Sequence, residues 1–314
     1  VAQDFDTDPV VNIKKDDVKF TVGARMMADV AYYHSDFTPV KSGAALTDAR
    51  IRTSMEYKNW YFYADFDFSK GKFAQKNLFL QYSMEKDKGT HAFKAGYYNN
   101  PATMANNTSR GSLHFISRAA PANAMSPGRE LGLSYIFYNN QFLANQGVFA
   151  ENMYNDQIAG FQGVTFGGRW LWRPINDENN TLHVGVNFRY ANICTGEVYN
   201  NTLKTEYTIG TSLETYVDPT KQFVSATMPW AKNVYDLGAE LLYKNDNFFI
   251  RGEYMYKTVT KERDDQTLFE ANLGSIDSWG TLESWQKGNP LGTNKFHGGY
   301  VEAGYKIFGN PYKY

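Results

Sequence analysis

Between residues 18 and 33 the chain alternates. Even positions read Val18, Phe20, Val22, Ala24, Met26, Ala28, Val30 and Tyr32, while odd positions include Lys19, Thr21, Gly23, Arg25 and Asp29. A period of two predicts a strand with one dry face and one wet face; a helix would space apolar residues three or four apart. The pattern recurs at 48–57, where Ala49, Ile51, Thr53, Met55 and Tyr57 interleave with Asp48, Arg50, Arg52, Ser54 and Glu56. At 60–68, Trp60, Phe62, Ala64, Phe66 and Phe68 interleave with Tyr61, Tyr63, Asp65 and Asp67. Further strands are predicted over 76–84, 91–98, 131–137, 142–152, 164–173, 182–191, 234–243, 248–257 and 296–308, twelve in all. The 142–152 pattern is the least regular, because Asn145 and Gln146 fall on opposite faces.

The connections alternate in length. Short ones fall at 58–59, 85–90, 138–141, 174–181, 244–247 and 309–311; long ones at 34–46, 69–75, 99–130, 153–163, 192–233 and 258–295. Short turns on one rim and long loops on the other are the habit of outer-membrane β-barrels, with the turns toward the periplasm. A soluble β-sandwich has no reason to sort its connections this way. Aromatic residues crowd the short-turn end: Tyr57 and Trp60, Phe137 and Phe142, Trp170 and Trp172, Tyr243 and Phe248. Their rings either form an interfacial girdle or pack a soluble core. The charges on the faces opposite the apolar ones, with no helical layer to cover the latter, argue for the girdle.

Mean hydropathy is negative, and no run approaches a membrane-spanning helix. Alternation resolves the contradiction, because it averages to a polar mean while still building an apolar wall. Backbone groups in hydrocarbon have no water to bond, so such a sheet is expected to close. The fold class is therefore all-β, a transmembrane antiparallel up-and-down barrel over residues 18–314, with residues 1–17 as a periplasmic segment. The chain opens Val1-Ala2-Gln3-Asp4-Phe5, which reads as a mature start after removal of a secretion signal. Tyr312-Lys313-Tyr314 point toward a thirteenth strand. The barrel either closes at twelve strands with a tail or continues beyond this chain, and the second is preferred.

The net charge is −1, so nothing draws the chain to nucleic acid. One cysteine, Cys194, excludes an intrachain disulfide framework. The five histidines are scattered without metal-site spacing, and no phosphate-cradling glycine loop or nucleophile elbow is present. Neither an enzyme nor a cofactor is expected.

If the apolar sets face lipid, the lumen receives Lys19, Arg25, Arg50, Arg52, Asp65, Asp67, Lys94, Arg169, Arg189, Arg251, Glu253 and Lys257. Charges of both signs in one wall imply a watery bore. They either pair across strands and support the wall or form a directed anion track. Arginine favours the track, because its fork binds phosphate-like anions bidentately and keeps its charge. The 99–130 loop carries Arg110, His114 and Arg118 and is a candidate constriction. It folds either into the lumen or over the outer surface.

Several patches resemble the phosphate-selective porin O/P family. They are Phe20-Thr21-Val22-Gly23-Ala24-Arg25; Arg52-Thr53-Ser54-Met55-Glu56-Tyr57 with Trp60 and 65–69; Phe93-Lys94-Ala95-Gly96-Tyr97-Tyr98; Val259-Thr260-Lys261-Glu262-Arg263-Asp264; and Gly299-Tyr300-Val301-Glu302-Ala303-Gly304-Tyr305. The resemblance implies a sixteen-stranded homotrimeric porin in the bacterial outer membrane, its third loop folded into the channel and its last four strands outside this chain. It implies anion passage along arginines matched here by Arg25 and Arg52. The loop position matching a central lysine of relatives is Asn106, which departs from the phosphate-selective pattern. The expected function is passive diffusion of small hydrophilic solutes, with an anion or phosphate preference. The alternatives are an accessory barrel with a plugged lumen inside a larger outer-membrane complex, and a soluble carbohydrate-binding β protein.

Overall fold

The structure is a computed structural model, and it describes residues 9–37, 39–69, 71, 73–151, 162–194, 196–199, 202–219, 222–261, 283–284 and 292–308. Thirteen antiparallel strands form one sheet: β1 (Val10–Lys15), β2 (Val18–Ala31), β3 (Gly43–Tyr57), β4 (Trp60–Asp67), β5 (Ala74–Lys86), β6 (Gly89–Asn99), β7 (Arg129–Tyr138), β8 (Phe142–Ala150), β9 (Val164–Asn176), β10 (Thr181–Asn192), β14 (Ala231–Lys244), β15 (Phe248–Lys261) and β16 (Asn294–Tyr305). Each pairs with the next in this order, from β1 at one edge to β16 at the other.

All twelve predicted strands are present. A thirteenth, β1, lies in the stretch read as a periplasmic segment and forms a hairpin with β2 through the two-residue turn Asp16-Asp17. Six residues with Val10 and Val11 side by side carry too little alternation to reveal it. A second sheet was not anticipated either. β11 (Gly196–Tyr199), β12 (Thr202–Ser212) and β13 (Gln222–Pro229) form a three-stranded excursion within the long connection from β10 to β14.

The two faces of the large sheet are sorted inside out relative to a soluble core. Phe20, Met26, Val30, Ile51, Trp60, Leu133, Val184, Val186, Leu237 and Val301 are exposed. Thr21, Asp48, Arg52, Ser54, Asp65, Asn187, Asp236, Glu240 and Glu253, on alternate positions of the same sheet, are buried. Water would select the opposite arrangement; a hydrocarbon solvent selects this one. Gln146 is a polar exception on the apolar face of β8, and the Trp170 indole N–H satisfies it at 3.2 Å.

Short turns collect at one rim, and their residues explain their shape. Asp16 and Lys58 take left-handed backbone angles, as two-residue hairpins require. Asn139, Asp177 and Asn245 each fold a side-chain oxygen onto backbone N–H groups two and three residues ahead. Pro174, read as part of a turn, instead lies within β9, opposite a register shift near His183. A proline lacks the ladder N–H and is accommodated at such an irregularity. The predicted turn at 309–311 and tail at 312–314 lie outside the described residues, as does most of the 153–163 connection.

Candidate functional site

The connection from β6 to β7 lies against the polar face of the sheet. It contains a helical turn α1 (Met104–Asn107), a 3-10 turn (Arg110–Ser112) and a short helix α2 (Ala120–Met125). Asn106 pins its neck: the side-chain amide donates to the carbonyls of Asn100 (2.9 Å) and Gly128 (3.1 Å). The position matched to a relative's lysine is thus turned into the neck and buried. The neck sits directly on β9, where a Cβ at Gly167 would lie 2.6 Å from Asn100 Oδ1.

From there the segment touches strands near both edges of the sheet. On one side Arg110 donates to Asp29 (2.9 Å) on β2 and to the carbonyl and hydroxyl of Thr47 (2.9 Å each) on β3. Arg25 reaches Ser109 at 3.2 Å. On the other side Glu253 of β15 accepts from the N–H groups of Met104 and Ala105, and His114 pairs with Glu302 of β16 at 2.8 Å. His114 also stacks on Phe249, with ring centroids 4.4 Å apart. Met125 and Ala122 of α2 pack on Met255. Strands β2–β3 and β15–β16 lie far apart in sheet order, so one segment can touch both because the sheet curls around it.

The inward charges are extensively paired across strands. Arg25 meets Asp48 at 2.5 Å; Arg50 meets Asp48 at 2.6 Å and Asp65 at 3.0 Å. Asp67 meets Lys76 at 3.3 Å. Arg169 and His183 share Glu240, each at 2.6 Å. Arg189 bridges Glu130 (2.6 Å) and Asp236 (3.3 Å), and Lys257 meets Asp236 at 2.8 Å. Arg251 meets Glu302 at 2.7 Å with little exposure, whereas the Lys19–Glu56 pair at 3.0 Å, near the turn rim, is exposed. Lys94 places its ammonium 3.6 Å from the Phe79 ring centroid. Arg52 is buried on β3 between these groups. Pairing of this kind offsets the cost of removing ions from water.

The excursion rests on the inward segment and on β15. The Tyr207 hydroxyl accepts from Lys257 at 2.8 Å, Glu214 accepts from the Ala120 N–H at 2.6 Å, and the Tyr216 ring covers the Arg110 guanidinium at 3.9 Å. These three residues were read as loop, and nothing local in the sequence marks them. Glu130, at the end of the stretch read as loop, carries a sequence signal, since the alternation through Ser134 and Gly132 extends back to it.

Among the described residues no helix is long and apolar enough to cross a membrane, which is silent on strands. Nor does any group of three or more His, Cys, Asp or Glu there suit a metal. An apolar-out, polar-in antiparallel sheet curled around an inward segment is a channel architecture. The family model for phosphate-selective porin O and P matches residues 20–314. The chain belongs to this porin family. Its fold is the up-and-down antiparallel β architecture of a transmembrane barrel, and its family is one of channels rather than enzymes. No individual curated protein matches the chain.

Proposed function

We propose that this porin lies in a bacterial outer membrane, short-turn rim toward the periplasm, and lets small hydrophilic solutes diffuse passively, with a preference for anions. The carrying observation is the inside-out sheet with a long segment lodged on its polar face, anchored by Arg110 on one side and Glu253 on the other. Family membership adds the class of transport. Arg110 and Arg118 on the segment, with Arg25, Arg50 and Arg52 on the adjoining wall, supply the anion preference, tempered by Asp48 and Asp65. Phosphate is the candidate physiological anion, although the buried amide of Asn106 weakens the case for strong selectivity.

Purified protein in planar bilayers tests this. Stepwise conductance and a reversal potential favouring chloride over potassium are expected. Arg25→Ala combined with Arg52→Ala moves the potential toward potassium. Absence of conductance, or an unchanged potential in the double variant, overturns the corresponding part. The homotrimer belongs to the same proposal; light scattering of the detergent complex measures it.

A second reading, an accessory barrel with a plugged lumen, draws on the excursion seated over the segment through Glu214 and Tyr216. It requires no conductance and a stoichiometric partner protein on purification.

A further inference from the structure

The inward segment fits its wall unevenly. Toward β10 and β14 the gap measures about 10 Å³, at most the room for one water. Toward β15 and β16 a cavity of about 320 Å³ opens, walled by Leu113, Phe115, Ile116 and Arg118 of the segment and by Arg251 and Tyr300 of the strands. That volume matches a small organic ligand rather than a water cluster.

Two features of its lining are unusual for a polar bore. Phe115 and Ile116 are 67% and 48% exposed although their segment lies on the polar face. The charges beside them are unequally committed. Glu302 is taken by Arg251 and His114, and Glu214 by the Ala120 N–H. The bonds that hold Arg118 go to the backbone carbonyls of Ala105 (2.7 Å) and Thr108 (2.6 Å), not to carboxylates. Burial lowers its pKa, and the like charges of Arg110 and Arg50 act in the same direction, against Tyr216 and Tyr300. A guanidinium nonetheless keeps its proton, so positive charge faces the cavity beside exposed apolar surface.

We propose that this cavity binds small organic anions with an apolar body, the anionic group on Arg118 and the body against Phe115 and Ile116. A bare inorganic anion meets the same guanidinium but gains nothing from the apolar walls, against which it gives up hydration. An aromatic or aliphatic carboxylate buries apolar surface there while meeting the guanidinium. The inference rests on the porin reading only for the route by which the anion arrives.

Calorimetry on the detergent-solubilised protein, with benzoate as probe and inorganic phosphate as comparison, tests it directly. Benzoate is expected to bind saturably and about tenfold more tightly than phosphate. Arg118→Gln weakens benzoate about tenfold, and Phe115→Ser weakens benzoate while leaving phosphate unchanged. Equal binding of benzoate and phosphate overturns the proposal, as does wild-type benzoate affinity in both Arg118→Gln and Phe115→Ser. Should Arg118→Gln fail to fold, Phe115→Ser decides alone. Benzoate binding without channel current in bilayers removes the porin reading and leaves this site standing.

Discussion

Glu253 holds Met104 across 149 positions of sequence: its carboxylate accepts the Met104 backbone N–H at 2.5 Å, with the Ala105 N–H at 2.9 Å on the second oxygen. The Tyr300 hydroxyl donates to the same carboxylate at 2.9 Å. A residue read from sequence as a pore-lining charge is therefore an anchor for the inward segment. Glu253→Gln keeps one acceptor and loses the charge. Hydrogen bonds to charged groups contribute roughly 1.5–3 kcal/mol, so the segment is expected to detach more often. Single-channel recording then shows noisier, larger conductance steps; steps identical to wild type contradict the anchoring role.

The Arg189 guanidinium is wedged between Glu130 and Asp236, with Lys257 beyond. Arg189→Leu leaves two buried carboxylates short of their partner. Breaking such a pair costs about 3–5 kcal/mol. Urea unfolding from detergent is expected to show a clearly lower midpoint, with no comparable change for Lys19→Leu, whose pair with Glu56 is exposed.

Leu237 and Val186 project from neighbouring strands on the apolar face. A cation placed there meets hydrocarbon. Leu237→Arg is predicted to destabilise folding into lipid vesicles by about 2–4 kcal/mol, the range for mid-bilayer positions. Tolerance of that arginine without loss would show that this face meets water.

In the turn between β9 and β10, Asp177 accepts from the N–H groups of Asn180 (2.7 Å) and Asn179 (3.0 Å), and these bonds hold its carboxyl below the usual carboxylate range. A depressed folded-state pKa means the contribution is complete above the unfolded value of about 3.9. It is lost as pH falls through the folded value. Asp177→Asn retains an acceptor oxygen but no titrating proton. Carboxyl titration followed by NMR should show one low-pKa aspartate in the wild type that is missing from the variant.

The family patches at Phe20–Arg25 and Phe93–Tyr98 were legible because they sit within strands whose alternation is itself legible. The roles of Asn106 and Glu253 were not. Sequence places Glu253 on the polar face of β15 but is silent on what crosses the bore to meet it. Arg25 and Arg52 share a face with Asp48 and Asp65, and only strand register decides which cation meets which acid. The register here joins Arg50↔Asp67 and Arg52↔Asp65 as backbone partners, while the Arg50 side chain reaches diagonally to Asp65 and along its own strand to Asp48.

Alternation is a property of neighbouring residues, since successive side chains on a strand point to opposite faces whatever the rest of the chain does. Turn chemistry at Lys58, Asn139 and Asn245 is equally local. The sequence by itself therefore determined the twelve long strands, the sorting of short and long connections, and which face avoids water. Contacts between distant segments depend on how far the sheet curls and where each long connection comes to rest. Only the tertiary structure decided that the β6–β7 segment lies on the polar face, that Asn106 closes its neck, that the β11–β13 excursion rests on it, and that a cavity remains beside Arg118.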